Sequence, residues 1–225
     1  MKRVHVICEG QTEEEFVREI LFPAFLPSGI QLLPSCIGRV GHKGGRVNSE
    51  RLRFDLQQRF RDKNCLCTTF FDFYGLPLDF PGKAAAAANS DPNGKQRAVT
   101  EALARWAASS FGDDSRRFLP YVQMHEFEAL LFSDPETLAA VINAPRSLQS
   151  FRSIRAEVQT PEWINDDPNT SPGKRILRLH PSYSKPADPV IAATRIGLDR
   201  IRRECPLFSE WLCALERLAK EQQHD

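Results

Sequence analysis

The sequence predicts an α/β fold, a mainly parallel sheet flanked by helices, followed by a helical C-terminal extension. Three observations carry this. Strand-like and helix-like segments alternate as β-α-β-α-β-(α)-β-α up to Pro135, the order of parallel strands joined by helical crossovers. One segment, CLCTTFFDF, is unmistakably strand-like: β-branched and aromatic residues run to Asp72, and the turn-formers Gly75 and Pro77 lie just beyond. After Pro135 the strand pattern stops and helical spacing takes over, ending in the amphipathic stretch Val190 to Lys220. Residues 1–135 are therefore expected to form the α/β core, and residues 136–225 a helical extension packed on it.

The elements follow in order. VHVIC reads as a buried first strand, and Thr12 to Leu21 as a helix with Phe16, Val17, Ile20 and Leu21 on one stripe, closed soon afterwards by Pro23. IQLLPSCIG is a second strand weakened by Pro34. The Gly-rich basic loop GRVGHKGGR precedes a helix from about Asn48 to Arg61. After CLCTTFFDF come a loop or short alanine-rich helix at Lys83 to Asn93 and a helix at Gly94 to Ser109. RFLPYVQM is a further strand leading into HEFEALLF, whose spacing is helical, and the Pro-rich INDDPNTSPGKRI interrupts the later helices.

The 225 residues suit one full hydrophobic core, and 30 Lys plus Arg against 29 Asp plus Glu exclude a global field for a polyanion. A nucleic-acid surface would have to be local. MKRVHVI is basic and then apolar, but the apolar run breaks at Glu9, too early for a secretory signal, and no stretch is long enough to span a bilayer. The six cysteines lack C-x-x-C spacing, so they are expected to be reduced core thiols in a cytoplasmic protein rather than zinc ligands.

Ligands of open α/β sheets gather beyond the carboxyl ends of the strands, and three strands here end beside acids. The first ends at Glu9, the third at Asp72, and the last runs into Glu126 and Glu128, while Asp79 follows Asp72 in the turn LPLDFPG. Crowded carboxylates raise each other's pKa, and a hard divalent cation with oxygen ligands, such as Mg²⁺, relieves the repulsion. Thr12 with Glu15 fits a capping box, and Glu13 and Glu14 suit the positive end of a helix dipole. Neither explanation requires an acid at Glu9. At about 100° per residue Phe127, Leu130 and Leu131 form a buried stripe, which Glu126 and Glu128 flank on opposite sides, so only one of the two is expected to face the strand ends. His125 beside them is a proton shuttle, a partner for a carboxylate or a surface histidine. Arg39, His42, Lys43 and Arg46 of the Gly-rich loop, with Lys174 and Arg175 of SPGKR, suit phosphate oxygens, but the loop lacks P-loop spacing.

EGQTEEEF, FDFYGLPLDFPG, PYVQMHEFEALLFSDP, INDDPNTSPGKR and IGLDRIRRECPLFSEWL together resemble the TOPRIM-related domain-of-unknown-function family 4276, over nearly the whole chain and in the same order. The resemblance implies a TOPRIM-like fold, similar to the catalytic domains of overcoming-lysogenization-defect nucleases, and a setting in bacterial phage defence beside an ATPase partner. The TOPRIM pattern places a glutamate after the first strand, an acidic pair after the third and an acid on a later helix. Glu9, Glu13 and Asp72 match; Glu128 matches the helix acid, with Glu126 the alternative. Tyr74 stands where the pattern has its second acid, a departure that Asp79 would have to make good. Two functions are then in view. One is a Mg²⁺- or Mn²⁺-dependent nuclease acting on DNA or RNA, in which Glu9, Asp72 and Lys174 are catalytic, Glu9, Glu13, Asp72, Asp79, Glu126 and Glu128 supply the metal ligands, and Arg39, His42, Lys43, Arg46, Lys174 and Arg175 hold nucleic acid. The other is a catalytically silent regulatory subunit of an ATPase complex. Oligomeric state is open.

Overall fold

The computed structural model describes residues 1–38, 44–164 and 170–221. Among them five parallel strands form one sheet. Strand β1 (Lys2–Cys8) leads into helix α1 (Gln11–Phe16), which continues through a π-helical stretch at Val17–Leu21 into α2 (Phe22–Phe25). Pro23 therefore does not end the helix: it sits at the start of the new α segment, where a missing N–H is tolerated. Strand β2 (Ile30–Cys36) lies at the sheet edge, and Pro34 pairs opposite Val6 there, the position in a sheet where a proline costs least. Helix α3 (Ser49–Arg59) is capped by Asn48, whose side chain accepts the Arg51 N–H at 2.8 Å.

Strand β3 (Cys65–Asp72) is central, buried on both faces until its last residue, and so reads as the near-continuous apolar run expected of such a strand. After α4 (Lys83–Ala86) and α5 (Pro92–Phe111), the expected last strand arrives as two short pieces, β4 (Phe118–Leu119) and β5 (Val122–Gln123), both beside β3. Pro120 supplies no N–H for a continuous ladder. Thr69 fills the gap, its Oγ1 donating to the Tyr121 carbonyl at 2.8 Å and accepting the Tyr121 N–H at 2.9 Å.

Strand order β2-β1-β3-β4 means that the chain leaves β1 in one direction to make β2 and returns on its other side to make β3. The carboxyl ends of β1 and β3 thus flank the topological switch point, where open sheets bind ligands. Side chains alternate between the two faces. Val4, Val6, Cys8, Leu66 and Phe70 join one core with Phe16 of α1 and the later helices. Ile7, Cys65, Cys67 and Phe71 join a second core under α3 and α5.

Beyond the sheet, HEFEALLF forms a 3₁₀-helix, Phe127–Ser133, rather than an α-helix. The remaining helices are α6 (Pro135–Val141), α7 (Leu148–Ala156), α8 (Pro172–Leu179), α9 (Ala187–Ile196), α10 (Leu198–Glu204) and α11 (Pro206–Glu221). Helix α11 is anchored directly on the central strand. Trp211 donates from Nε1 to Thr68 Oγ1 at 2.9 Å and stacks on Tyr121 with ring centroids 4.3 Å apart, and Phe208 meets Phe16 edge-on. No helix among the described residues is long and apolar enough to cross a membrane.

Candidate functional site

Five carboxylates reach the switch point from three parts of the chain. Glu9 follows β1, its N–H extending the ladder to the Phe70 carbonyl at 3.1 Å, and its side chain turns across the end of β3 so that Oε2 accepts the Asp72 N–H at 3.1 Å. Gly75 leaves room for this crossing: a Cβ on Gly75 would lie 2.2 Å from Glu9 Oε1. The N-cap of α1 is Gly10, not Thr12, so the expected Thr12–Glu15 capping box does not form. Glu13 closes the cap instead, its Oε2 accepting the Gly10 N–H at 2.9 Å while the residue is 6% exposed. Glu14 faces away, toward Arg18 (2.6 Å) and Cys36 (2.9 Å).

Glu126 and Glu128 both belong to the group, contrary to the helical-wheel expectation that one would turn away. Glu126 is extended (φ −143°, ψ 160°) at the start of a 3₁₀-helix, so an α-helical wheel does not describe the pair. Glu126 Oε2 accepts the Gly173 N–H at the start of α8 at 2.9 Å. A Cβ on Gly173 would stand 3.0 Å from Glu126 Oε2 and 3.4 Å from Glu128 Oε2, so one glycine lets the helix start approach both carboxylates. Glu128 is fully buried; its Oε1 accepts from Lys185 Nζ at 2.6 Å and Tyr183 Oη at 3.2 Å.

Burial and mutual repulsion set the electrostatics. Desolvation, with Glu13 nearby, pushes Glu9 up to about 7, and desolvation, with Glu128 nearby, pushes Glu13 up to about 7. Burial and the charges of Glu13 and Glu9 hold Asp72 well above the usual carboxylate range. Burial works against the charge on Lys185, but Glu128, Asp72 and Glu126 outweigh it and keep the ammonium protonated beyond the ordinary lysine range. Two buried carboxylate oxygens, Asp72 Oδ1 and Glu128 Oε2, have no hydrogen-bond partner among the described residues. An all-oxygen donor set of buried and half-buried acids, two of them with an unsatisfied oxygen, fits a hard divalent cation such as Mg²⁺.

Other expected site residues lie elsewhere. Asp79 is exposed, and its carboxylate makes no hydrogen bond or ion pair among the described residues. Lys174 is exposed on α8, while Arg175 bonds the Thr170 carbonyl at 2.8 Å and lies 3.7 Å from Glu157. Arg46 is exposed; Arg39, His42 and Lys43 fall outside the described residues. His125 is not at the surface. It is 1% exposed, with its ring 5.2 Å from that of Tyr74 and edge-on to Phe73. Four contributors carried no readable signal: Lys185 and Tyr183 lie in the unremarkable stretch SYSKPAD, and Gly75 and Gly173 read only as turn and helix-start residues.

A family model described as "Domain of unknown function (DUF4276)" matches residues 8–216. The chain belongs to DUF4276. That span begins at the last residue of β1 and ends inside α11, so in this DUF4276 chain it takes in all five acids, Tyr183 and Lys185. No curated protein and no solved structure matches the chain.

Proposed function

We propose that this DUF4276 protein is a divalent-metal-dependent nuclease of the TOPRIM type, working in bacterial phage defence beside an ATPase. One observation carries the reading: Glu9, Glu13, Asp72, Glu126 and Glu128 converge at the switch point of a parallel sheet, with Asp72 Oδ1 and Glu128 Oε2 unsatisfied. Glu9, Asp72 and Glu128 would hold the ion, with Glu13 and Glu126 beside them. Mg²⁺ or Mn²⁺ bound there supplies charge neutralisation at a scissile phosphate and lowers the pKa of a water.

The protein's own groups do the rest. Glu9 is oriented by the Asp72 N–H and Glu13 by the Gly10 N–H, so two carboxylates are fixed before any ligand arrives. Lys185 neutralises part of the acidic charge through Glu128 and would meet a phosphate oxygen, the role expected of Lys174 from the sequence. Lys174, exposed at the first turn of α8, is left to position the nucleic-acid backbone. With Asp79 exposed, Tyr74 leaves the position two residues after Asp72 without an acid, and Glu126 and Glu128 would supply oxygens in its place.

Cleavage of single- and double-stranded DNA and RNA with Mg²⁺ or Mn²⁺ tests the proposal. Glu9→Gln and Asp72→Asn should each lower the rate by a factor of about 100 or more, in line with loss of electrostatic stabilisation at a reacting phosphate. Equal cleavage by wild type and both variants sinks it. The alternative, a silent regulatory subunit, rests on Tyr74 and predicts no Glu9-dependent heat when Mg²⁺ or Mn²⁺ is titrated calorimetrically.

A further inference from the structure

At the opposite end of the central strands lies a second constellation with different chemistry. His5 of β1, Asp62 of the turn after α3 and Cys65 at the start of β3 each present a ligand atom, and the three atoms all lie within 4.8 Å of one another. They come from three chain segments and three donor classes: imidazole nitrogen, carboxylate oxygen and sulfur. A mixed N, O and S set selects a borderline ion such as Zn²⁺ rather than the oxygen-seeking Mg²⁺ suited to the acidic site. Sequence spacing could not show this, because His5 and Cys65 meet only through the β1–β3 pairing, where Arg3 is opposite Cys65 and His5 opposite Cys67.

The surroundings are those of a supported site. Asp62 Oδ1 accepts the Asn64 N–H at 3.0 Å, and Oδ2 pairs with Arg3 at 2.7 Å, which fixes the carboxylate. Arg117 holds the turn from the other side, donating to the carbonyls of Phe60 (3.1 Å), Asp62 (2.8 Å) and Cys65 (3.3 Å), with its Nη1 3.8 Å from Cys65 Sγ. Its own charge is met by Asp114 at 2.8 Å. Cys65 Sγ–H now points at the carbonyls of Arg59 and Asp62, each 3.2 Å away. Metal binding replaces that S–H bond with an S–metal bond and releases the proton to solvent, leaving the Arg117 N–H as the outer donor to the thiolate. His5 and Asp62 are half-buried, which gives an ion a path to the buried sulfur.

We propose that His5, Asp62 and Cys65 form a Zn²⁺ site, with water completing the tetrahedron, that ties β1 to the start of β3. It stands independently of the nuclease reading. The test is Co²⁺ titration of the full chain, freed of metal by a chelator, followed by absorption spectroscopy. One equivalent should give the intense sulfur-to-cobalt charge-transfer band, Zn²⁺ should displace it, and His5→Asn and Cys65→Ser should each abolish it. Glu9→Gln should leave it unchanged. If Cys65→Ser does not fold, half-buried His5→Asn decides. No band in the wild type, a band that survives in either folded variant, or a band lost with Glu9→Gln overturns the proposal.

Discussion

At the scale of single residues, the acidic site depends on two glycines that carry no chemistry. A Cβ on Gly75 would overlap Glu9 Oε1 at 2.2 Å, so Gly75→Ala must move either the turn or the carboxylate. The carboxylate is the easier of the two to displace. Gly75→Ala is therefore expected to weaken Mg²⁺ or Mn²⁺ binding at least about tenfold by calorimetry, the scale of losing a positioned ligand's support, while circular dichroism stays that of the wild type. Lys185 makes a complementary case. Its Nζ is 2.6 Å from Glu128, which is wholly buried while the lysine side chain is half exposed, so Lys185→Met should destabilise the metal-free protein by about 1–2 kcal/mol in denaturant titrations, less when Mg²⁺ is present. Of these residues only the acids could be read from the sequence. Glu9 stood out because neither a cap nor a helix dipole explained it. Lys185 did not, because its partner Glu128 is far away in sequence and no local pattern encodes that contact.

At the scale of elements, what the sequence revealed follows how local the deciding forces are. The strands β3 and β2 were legible, since burial on two faces leaves a direct mark in the composition of β3 and β2 is apolar enough to read through Pro34, although its edge position was not read. The 3₁₀ form of Phe127–Ser133 was not. All of its residues are buried, and an apolar run packed on every side has no periodicity from which to distinguish 3₁₀ from α. The cap of α1 was misplaced by two residues for a related reason: Glu13 serves both the Gly10 N–H and the acid cluster, and only the tertiary structure shows the double duty. Helix α11 has a cap that no sequence window contains. Buried Glu162 accepts the N–H groups of Leu207 (3.0 Å) and Phe208 (2.8 Å) at its first turn. Glu162→Ala leaves both donors buried and unpaired, with an expected loss of about 2–4 kcal/mol in chemical denaturation. Glu162→Gln, which keeps one acceptor, should lose less.

At the scale of the whole molecule, the buried acids couple stability to pH. Glu9, Glu13 and Glu162 are held at about 7 in the folded protein, each against an ordinary value of 4.5, chiefly by burial, and Asp72 is raised as well. A folded-state pKa above the unfolded one means that the native protein binds the proton more tightly. The stabilisation is complete below about 4.5 and is lost as pH rises through about 7. Glu14, Asp114 and Asp134 are shifted the other way, so their contribution is lost only at more acidic pH. Metal-free protein should therefore melt higher at pH 5 than at pH 8, by about 5 °C or more, the reverse of the usual gain on leaving acid. A divalent cation at the acidic site favours the ionised carboxylates, so the rise in melting temperature on adding Mg²⁺ should be larger at pH 8 than at pH 5. The double variant Glu9→Gln with Glu13→Gln should flatten both dependences, leaving the residual slope of Glu162 and Asp72. Thermal melts in chelator and in Mg²⁺ across this range provide the check; a melting temperature that climbs from pH 5 to pH 8 without metal would show that these carboxylates are already ionised in the folded protein.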